Sequence, residues 1–172
     1  MGTRNLLRIV VDGEEKVSQY CQWDGYPTGQ GANIVRFIEG FLDPLNNREE
    51  LEKFTNNVRK LKKYTEKARL KVFEEAESQP AGENDYNNKY IKQNFPELHR
   101  DTGYKLLYIL MYGNLKKVDI TDDFFGIEWI YTINLDNKTL TVDNKSFQGA
   151  VAFDFKELNN YDSWAKARMK QD

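Results

Sequence analysis

The fold is constrained most by a pair of β-hairpin patterns near opposite ends of the chain. Residues 3–11 and 16–23 alternate apolar and polar side chains on either side of Asp12-Gly13, a two-residue turn signal. Residues 127–135 and 139–143 repeat this alternation around a second polar turn. Because successive side chains of a strand point to opposite faces, each pair of segments predicts an antiparallel hairpin.

The pattern between the hairpins is helical. Ile34, Phe37, Ile38 and Phe41 recur at helical spacing within residues 30–42. The other predicted segments are, in chain order, a helix capped by Asn47, a helix over 65–77, a flexible loop over 78–94, a helix over 96–112, a strand over 147–155 and a terminal helix over 161–170. This order predicts one α+β domain over residues 1–172, in which both hairpins share an antiparallel sheet covered by helices.

The composition is typical of a globular protein in a reducing compartment. The 172 residues include ten Tyr, ten Phe and three Trp, enough large side chains to fill a core. The single Cys cannot form an intrachain disulfide, and the sequence has neither a secretory signal pattern nor an apolar run long enough to span a membrane. We therefore expect a cytoplasmic protein that has no membrane contact.

Residues 20–31, Tyr-Cys-Gln-Trp-Asp-Gly-Tyr-Pro-Thr-Gly-Gln-Gly, are the densest group of unusual residues. The pattern predicts a strand that ends at Trp23, then a tight turn, then a helix that begins just after Gly29. A strand, a turn and a helix N-terminus together often form a binding site. If residues 99–101 lie beside this turn, several polar and aromatic side chains converge there. The binding candidates are Arg4, Trp23, Asp24, Tyr26, Arg100 and Asp101.

Four residues are candidates for catalysis. Cys21 is the only thiol and His99 the only imidazole, so together they would form a nucleophile and its base. Thr3 lies near the chain start, as in N-terminal nucleophile hydrolases, and Asp24 would serve as a base. Each also has a structural interpretation, since a lone Cys is usually a core residue and Asp is common in turns. The pattern favours a protein that is not an enzyme, with a small hydrolase or nuclease as the alternative.

A basic stretch at residues 59–71 provides a third function class. Lys60, Lys62, Lys63 and Lys67 surround Tyr64 on a predicted helix face, and basic residues with an aromatic can bind nucleic acid. The net charge of −2 argues against a general nucleic-acid binder. A nucleic-acid-binding module is therefore a second alternative.

An acidic cluster has the side-chain chemistry for a hard cation. It consists of Asp119, Asp122, Asp123 and Glu128. Because acidic side chains are normally exposed, a solvated loop is the favoured interpretation. We predict neither a metal nor a cofactor.

Four segments resemble a family of small proteins encoded by phages and prophages. They are Gly-Thr-Arg-Asn-Leu at 2–6, the stretch from Gln19 to Gly31 with its Gln-Trp-Asp-Gly-Tyr-Pro turn, Pro-Glu-Leu-His-Arg-Asp-Thr-Gly at 96–103, and Glu-Trp-Ile-Tyr-Thr-Ile-Asn-Leu-Asp at 128–136. The resemblance implies a phage or prophage accessory protein that binds and inhibits a host defence machine. One specific function of this kind is that of an anti-CRISPR protein, which inhibits a Cas effector bound to its guide RNA. The resemblance supplies no catalytic residues.

Overall fold

The computed structural model describes residues 2–79, 88–121, 126–146 and 149–170, and a five-stranded sheet lies at its centre. The sheet strands are β1 Asn5–Val11, β2 Glu14–Cys21, β5 Trp129–Asn134, β6 Thr139–Asn144 and β7 Val151–Asp154. Their order across the sheet is β2-β1-β5-β6-β7. A separate parallel ribbon pairs β3 Lys62–Lys63 with β4 Lys117–Val118.

Both predicted hairpins are confirmed. β1 pairs antiparallel with β2, and β5 pairs antiparallel with β6. The first turn places Asp12 at φ +54° and Gly13 at φ +73°, as a two-residue hairpin turn of matching twist requires. Lys138 in the second turn also has a positive φ, +55°. The residues at both turns therefore adopt backbone conformations that suit the antiparallel hairpins observed.

The sheet is mixed, whereas the sequence predicted a purely antiparallel one. The α+β class is confirmed, but the two hairpins join through β1 and β5, which run parallel from Asn5↔Trp129 to Val10↔Asn134. Parallel neighbours need a long crossover connection. The helical segments between the hairpins provide it, because they return the chain to the end of the sheet where β1 begins.

Most of the helices pack on one face of the sheet. They are α1 Ala32–Phe37 between two π-helical turns at Pro27–Gly31 and Ile38–Leu42, α2 Arg48–Arg59, α3 Glu66–Glu77, α4 Lys89–Asn94, α5 Lys105–Tyr112, α6 Tyr161–Met169, and two 3₁₀ segments at Pro96–Leu98 and Phe155–Asn160. The predicted N-cap of α3 is confirmed, because Thr65 Oγ1 accepts a hydrogen bond from Ala68 N at 3.2 Å. Asn47 precedes α2 but does not cap it, since its amide donates to Gly40 O instead.

Three predicted segments differ in the structure. The helix expected over 96–112 is interrupted by a turn in which Gly103 has φ +49°. The basic segment 59–71 is not one helix face, because the chain leaves the helix after Arg59 to bury Leu61 and to form the ribbon. Of the loop predicted over 78–94, residues 80–87 lie outside the described residues and Lys89–Asn94 is helical.

The main core lies between the sheet and the helices. Leu7, Ile9 and Val11 of β1 point into it beside Tyr131 and Ile133 of β5. A second cluster joins α3, α4 and the 3₁₀ turn through Val72, Ala76, Ile91 and Leu98. Because this second cluster lies beyond the edge strand β2, it leaves a cleft against that strand.

Candidate functional site

The backbone of the turn at residues 23–27 is fixed by hydrogen bonds at every carbonyl. Each of these five oxygens accepts at least one hydrogen bond. Trp23 O accepts from Cys21 Sγ and Gln30 Nε2, and Asp24 O accepts from Gln30 N. Gly25 O accepts from Tyr131 Oη, Tyr26 O accepts from Gly29 N and Gly31 N, and Pro27 O accepts from Tyr161 Oη. Gly25 and Pro27 are buried, and a buried carbonyl needs such a partner, so the surroundings hold the turn in this conformation.

Close packing explains the glycines that follow the turn. A Cβ on Gly29 would overlap the carboxylate of Asp24, and a Cβ on Gly31 would overlap the Tyr161 hydroxyl. Asp24 itself has φ +55°, a left-handed conformation that Asp tolerates better than most residues. The sequence Asp-Gly-Tyr-Pro-Thr-Gly-Gln-Gly is therefore suited to a tight chain reversal that leads into a helix.

Trp23 and Tyr26 are the exposed aromatic side chains of this rigid turn. Trp23 is 49% exposed and Tyr26 is 39% exposed. The indole of Trp23 packs against Gly2 and donates from Nε1 to Asp101 Oδ1 at 3.0 Å. Lys92 Nζ lies 3.4 Å from the other oxygen of Asp101. The turn thus presents two aromatic rings beside an acid and a lysine.

Residues 99–101 lie beside the turn, which is the arrangement that the convergence of the predicted binding residues requires. Gln22 N donates to Arg100 O at 3.0 Å, and Gln19 Nε2 donates to His99 O at 3.2 Å. These bonds bring Arg100 and Asp101 to the end of β2, close to Trp23. Of the predicted binding residues, the structure therefore brings Trp23, Arg100 and Asp101 together.

The side chains of Arg4 and Asp24 take no part in the described hydrogen bonds of that group. Arg4 N donates to Glu128 Oε1 at 3.2 Å, and its guanidinium packs against Gly126. Asp24 is exposed, and its carboxylate accepts no hydrogen bond from any described residue. The backbone oxygen of Asp24, rather than its side chain, helps to hold the turn by accepting from Gln30 N at 2.9 Å.

A cleft of about 320 Å³ runs along the outer edge of β2. Arg69 and Asp119 form an ion pair across it at 2.9 Å. The remaining lining residues are Gln19, Tyr20, Gln22, Glu97, Leu98, Arg100 and Thr121. Its mixed charge and amide content suit a polar ligand.

Glu97 is a buried acid in the wall of this cleft. It is 3% exposed, its Oε1 accepts from the Tyr64 hydroxyl at 2.6 Å, and its Oε2 has no partner among the described residues. Burial raises the pKa of Glu97, and the Tyr64 hydrogen bond opposes that shift. Gln19 is also 3% exposed, with an unpartnered Oε1. The cleft wall therefore carries two buried acceptor oxygens.

Cys21 and Thr3 are both buried. Cys21 is 1% exposed and its thiol donates to Trp23 O at 3.4 Å. Burial raises the pKa of the Cys21 thiol, which disfavours the thiolate that a nucleophile requires. Thr3 is 4% exposed, and its backbone oxygen accepts from Gly25 N. Both residues serve the packing of the turn.

His99 is held in the neutral form by its surroundings. It is 1% exposed, and burial lowers the pKa of its imidazole. Nδ1 accepts from Asp101 N at 3.2 Å, which places the proton of the neutral ring on Nε2. Among the described residues, no hydrogen bond joins His99 to Cys21. The structure therefore shows no hydrogen-bonded contact between these two predicted residues.

The four predicted lysines are exposed, but they occupy three different elements. Lys60 follows α2, Lys62 and Lys63 form β3, and Lys67 lies in the first turn of α3. The parallel ribbon adds Lys117 directly beside Lys62. The basic surface is therefore built from two distant segments instead of one helix.

The acidic cluster is divided. Asp119 pairs with Arg69, Glu128 accepts from Arg4 N, and Asp122 and Asp123 lie outside the described residues. Within the parts of the chain that the structure describes, no group of three His, Cys, Asp or Glu side chains is placed to hold a metal ion.

Sequence reasoning missed the buried polar residues of this region. Gln30 is 7% exposed and links three segments, since its Oε1 accepts from Tyr104 N at 2.8 Å and its Nε2 donates to Trp23 O. Gln19 and Glu97 belong to the same class. The available signal is a polar residue at a position where the periodicity predicts an apolar one, as Gln19 is between Val17 and Cys21.

Comparison with protein-family models, curated proteins and solved structures gave no match for this chain. None of the helices in the described residues is both long and apolar enough to cross a lipid bilayer.

Proposed function

We propose that the protein works by binding another protein, with Trp23 and Tyr26 as its main contacts. The observation that carries this proposal is the rigid turn, in which five consecutive carbonyls are hydrogen bonded while two aromatic rings remain exposed. Trp and Tyr are the residues that most often dominate the energy of protein interfaces. An element that is already ordered loses little conformational entropy on binding, which favours affinity.

The surroundings of the turn resemble the polar rim of an interface. Asp24, the residue after Trp23, is exposed, and the Lys92–Asp101 ion pair lies beside the Trp23 indole. Charged groups at a rim contribute mainly to specificity and to the association rate. The two rings are therefore expected to supply affinity, and the charges to select the partner.

The concrete version of this proposal is a phage or prophage accessory protein that inhibits a host defence machine in the host cytoplasm. Its support is the resemblance stated above, whose most specific segment, residues 19–31, contains the turn. An inhibitor of a Cas effector fits this role, because it needs a rigid contact surface and no chemistry of its own. The positions of Cys21 and His99 offer no observation that favours the hydrolase alternative.

Binding to purified Cas effectors, with inhibition of their cleavage, tests this function. We expect the wild-type protein to bind an effector and the double variant Trp23→Ala/Tyr26→Ala to lose that binding at least tenfold, from the cost of about 2 kcal/mol typical of an interface hot spot. Tyr112→Ala is the matched control, because Tyr112 is 62% exposed on another surface.

Two results would contradict the proposal. Equal binding by the wild type and the double variant would remove the turn as the contact surface. If no effector is bound or inhibited, and affinity capture from host lysate followed by binding to each purified candidate yields no partner, the inhibitory function is wrong.

A further inference from the structure

The parallel ribbon concentrates positive charge on a surface that the proposed function does not use. Lys62 N donates to Lys116 O at 3.0 Å, and Lys62 and Lys117 are register partners. Lys62, Lys63, Lys116 and Lys117 are all exposed. We define these four residues as the lysine ribbon. Lys60 and Lys67, also exposed, flank its first strand in the sequence.

Lys62 and Lys117 bring two like charges onto neighbouring strands. Neighbouring strands are about 4.8 Å apart, so like charges on paired residues repel each other unless counter-charges lie nearby. Among the described residues, no carboxylate forms an ion pair with any lysine of the ribbon. The protein as a whole carries a net charge of −2, so this positive charge is local. Proteins accept such a local cost mainly where a site is used.

We propose that the lysine ribbon binds the phosphate backbone of a nucleic acid. Lysine ammonium groups contact phosphates as point charges and release counterions from the nucleic acid. The cost of holding Lys62 beside Lys117 is then relieved when a polyanion lies across both strands of the ribbon.

The lysine ribbon contacts the phosphate charges of the nucleic acid and does not distinguish its bases. Tyr64 follows β3, but its hydroxyl donates to Glu97 at 2.6 Å and Lys117 Nζ lies 5.7 Å from its ring centroid. The ring is therefore engaged within the protein and does not serve as a platform for a base. Binding is expected to be independent of sequence and steeply dependent on salt.

Fluorescence anisotropy with a labelled oligouridylate and a labelled DNA duplex, across a series of salt concentrations, tests this site. Lys62→Gln/Lys117→Gln removes the register pair. Lys156→Gln/Lys170→Gln is the matched control, because it lowers the net charge equally at exposed lysines outside the ribbon. We expect the wild-type protein to bind at low salt. In a plot of log K against log salt concentration, the slope for Lys62→Gln/Lys117→Gln should be smaller in magnitude by about one unit for each ribbon lysine removed. The control should retain the wild-type slope.

Folding of the variants is checked separately by thermal unfolding. The substitution removes both the like-charge pair and the contact of Lys117 with the Tyr64 ring, so Lys62→Gln/Lys117→Gln should unfold cooperatively and close to the wild-type temperature. Absence of binding to both nucleic acids at low salt would overturn the proposal, as would equal losses in the two double variants. Binding to anionic lipid vesicles without binding to nucleic acid would also overturn it. Since Trp23 and Tyr26 are unchanged, failure here leaves the protein-binding function standing.

Discussion

The hydroxyl of Tyr131 is the clearest point at which the turn can be loosened without disturbing the core. It donates to Gly25 O at 2.7 Å, and both groups are buried. Tyr131→Phe keeps the ring and its packing but leaves the Gly25 carbonyl without its described donor. An unsatisfied buried acceptor costs about 1–3 kcal/mol. For a chain of this length, each kcal/mol lowers the midpoint of thermal unfolding by about 2–4 °C.

Chemical and thermal unfolding followed by circular dichroism measure this cost, and amide hydrogen exchange locates it. The amides of Gly29 and Gln30 donate to carbonyls of the same turn, at 2.9 Å each, so their protection should fall more than that of the β5–β6 pairing. Tyr112→Phe is the control, because Tyr112 is exposed and should lose almost no stability. A Tyr131→Phe protein with wild-type stability and unchanged protection of Gly29 and Gln30 would refute the idea that side-chain donors fix the turn.

Three further predictions concern neighbouring residues. Gly29→Ala should destabilise the protein by about 1–3 kcal/mol in urea unfolding, because the new Cβ overlaps Asp24, whereas Gly40→Ala, which has open space, should be neutral or stabilising; equal effects would contradict this. The Cys21 thiol should react with a thiol reagent only as fast as the chain opens, so rapid labelling of the folded protein would show that it is accessible. Burial holds the pKa of Glu97 above its unfolded value, so the stability that its protonation contributes is present at low pH and lost as pH rises through the folded pKa. Glu97→Gln should therefore gain stability relative to wild type as pH rises, and parallel curves of unfolding free energy against pH would contradict the burial.

The hairpins could be predicted from the sequence because their signals are local. Alternation and the Asp12-Gly13 turn lie within one short segment, and the pairing they imply is the pairing observed. The parallel contact of β1 with β5 has no such signal. It joins Asn5 to Trp129 through packing of everything between them, and no short pattern encodes that register.

The same limit applies to the charged surface. Lys62 and Lys63 stood out in the sequence because they lie in a dense basic stretch, whereas Lys116 and Lys117 form a short pair in another segment. Helical periodicity could not show that residues 62 and 117 would be neighbours, since it assumes that the stretch stays helical. Leu61 is buried just after the helix, and Lys62 and Lys63 then form a strand of the parallel ribbon.

The turn and the lysine ribbon differ in how they depend on the rest of the molecule. The turn is held by Thr3 ahead of β1, by Tyr131 on β5 and by Tyr161 on α6, so its geometry requires both ends of the chain to be folded. The ribbon is anchored instead by Leu61 and Val118, which are buried in the main core. Loss of a side-chain donor to the turn should therefore impair protein binding through Trp23 before it impairs nucleic-acid binding. Measuring both affinities on one destabilised variant, Tyr131→Phe, would show whether the two surfaces are separable in this way.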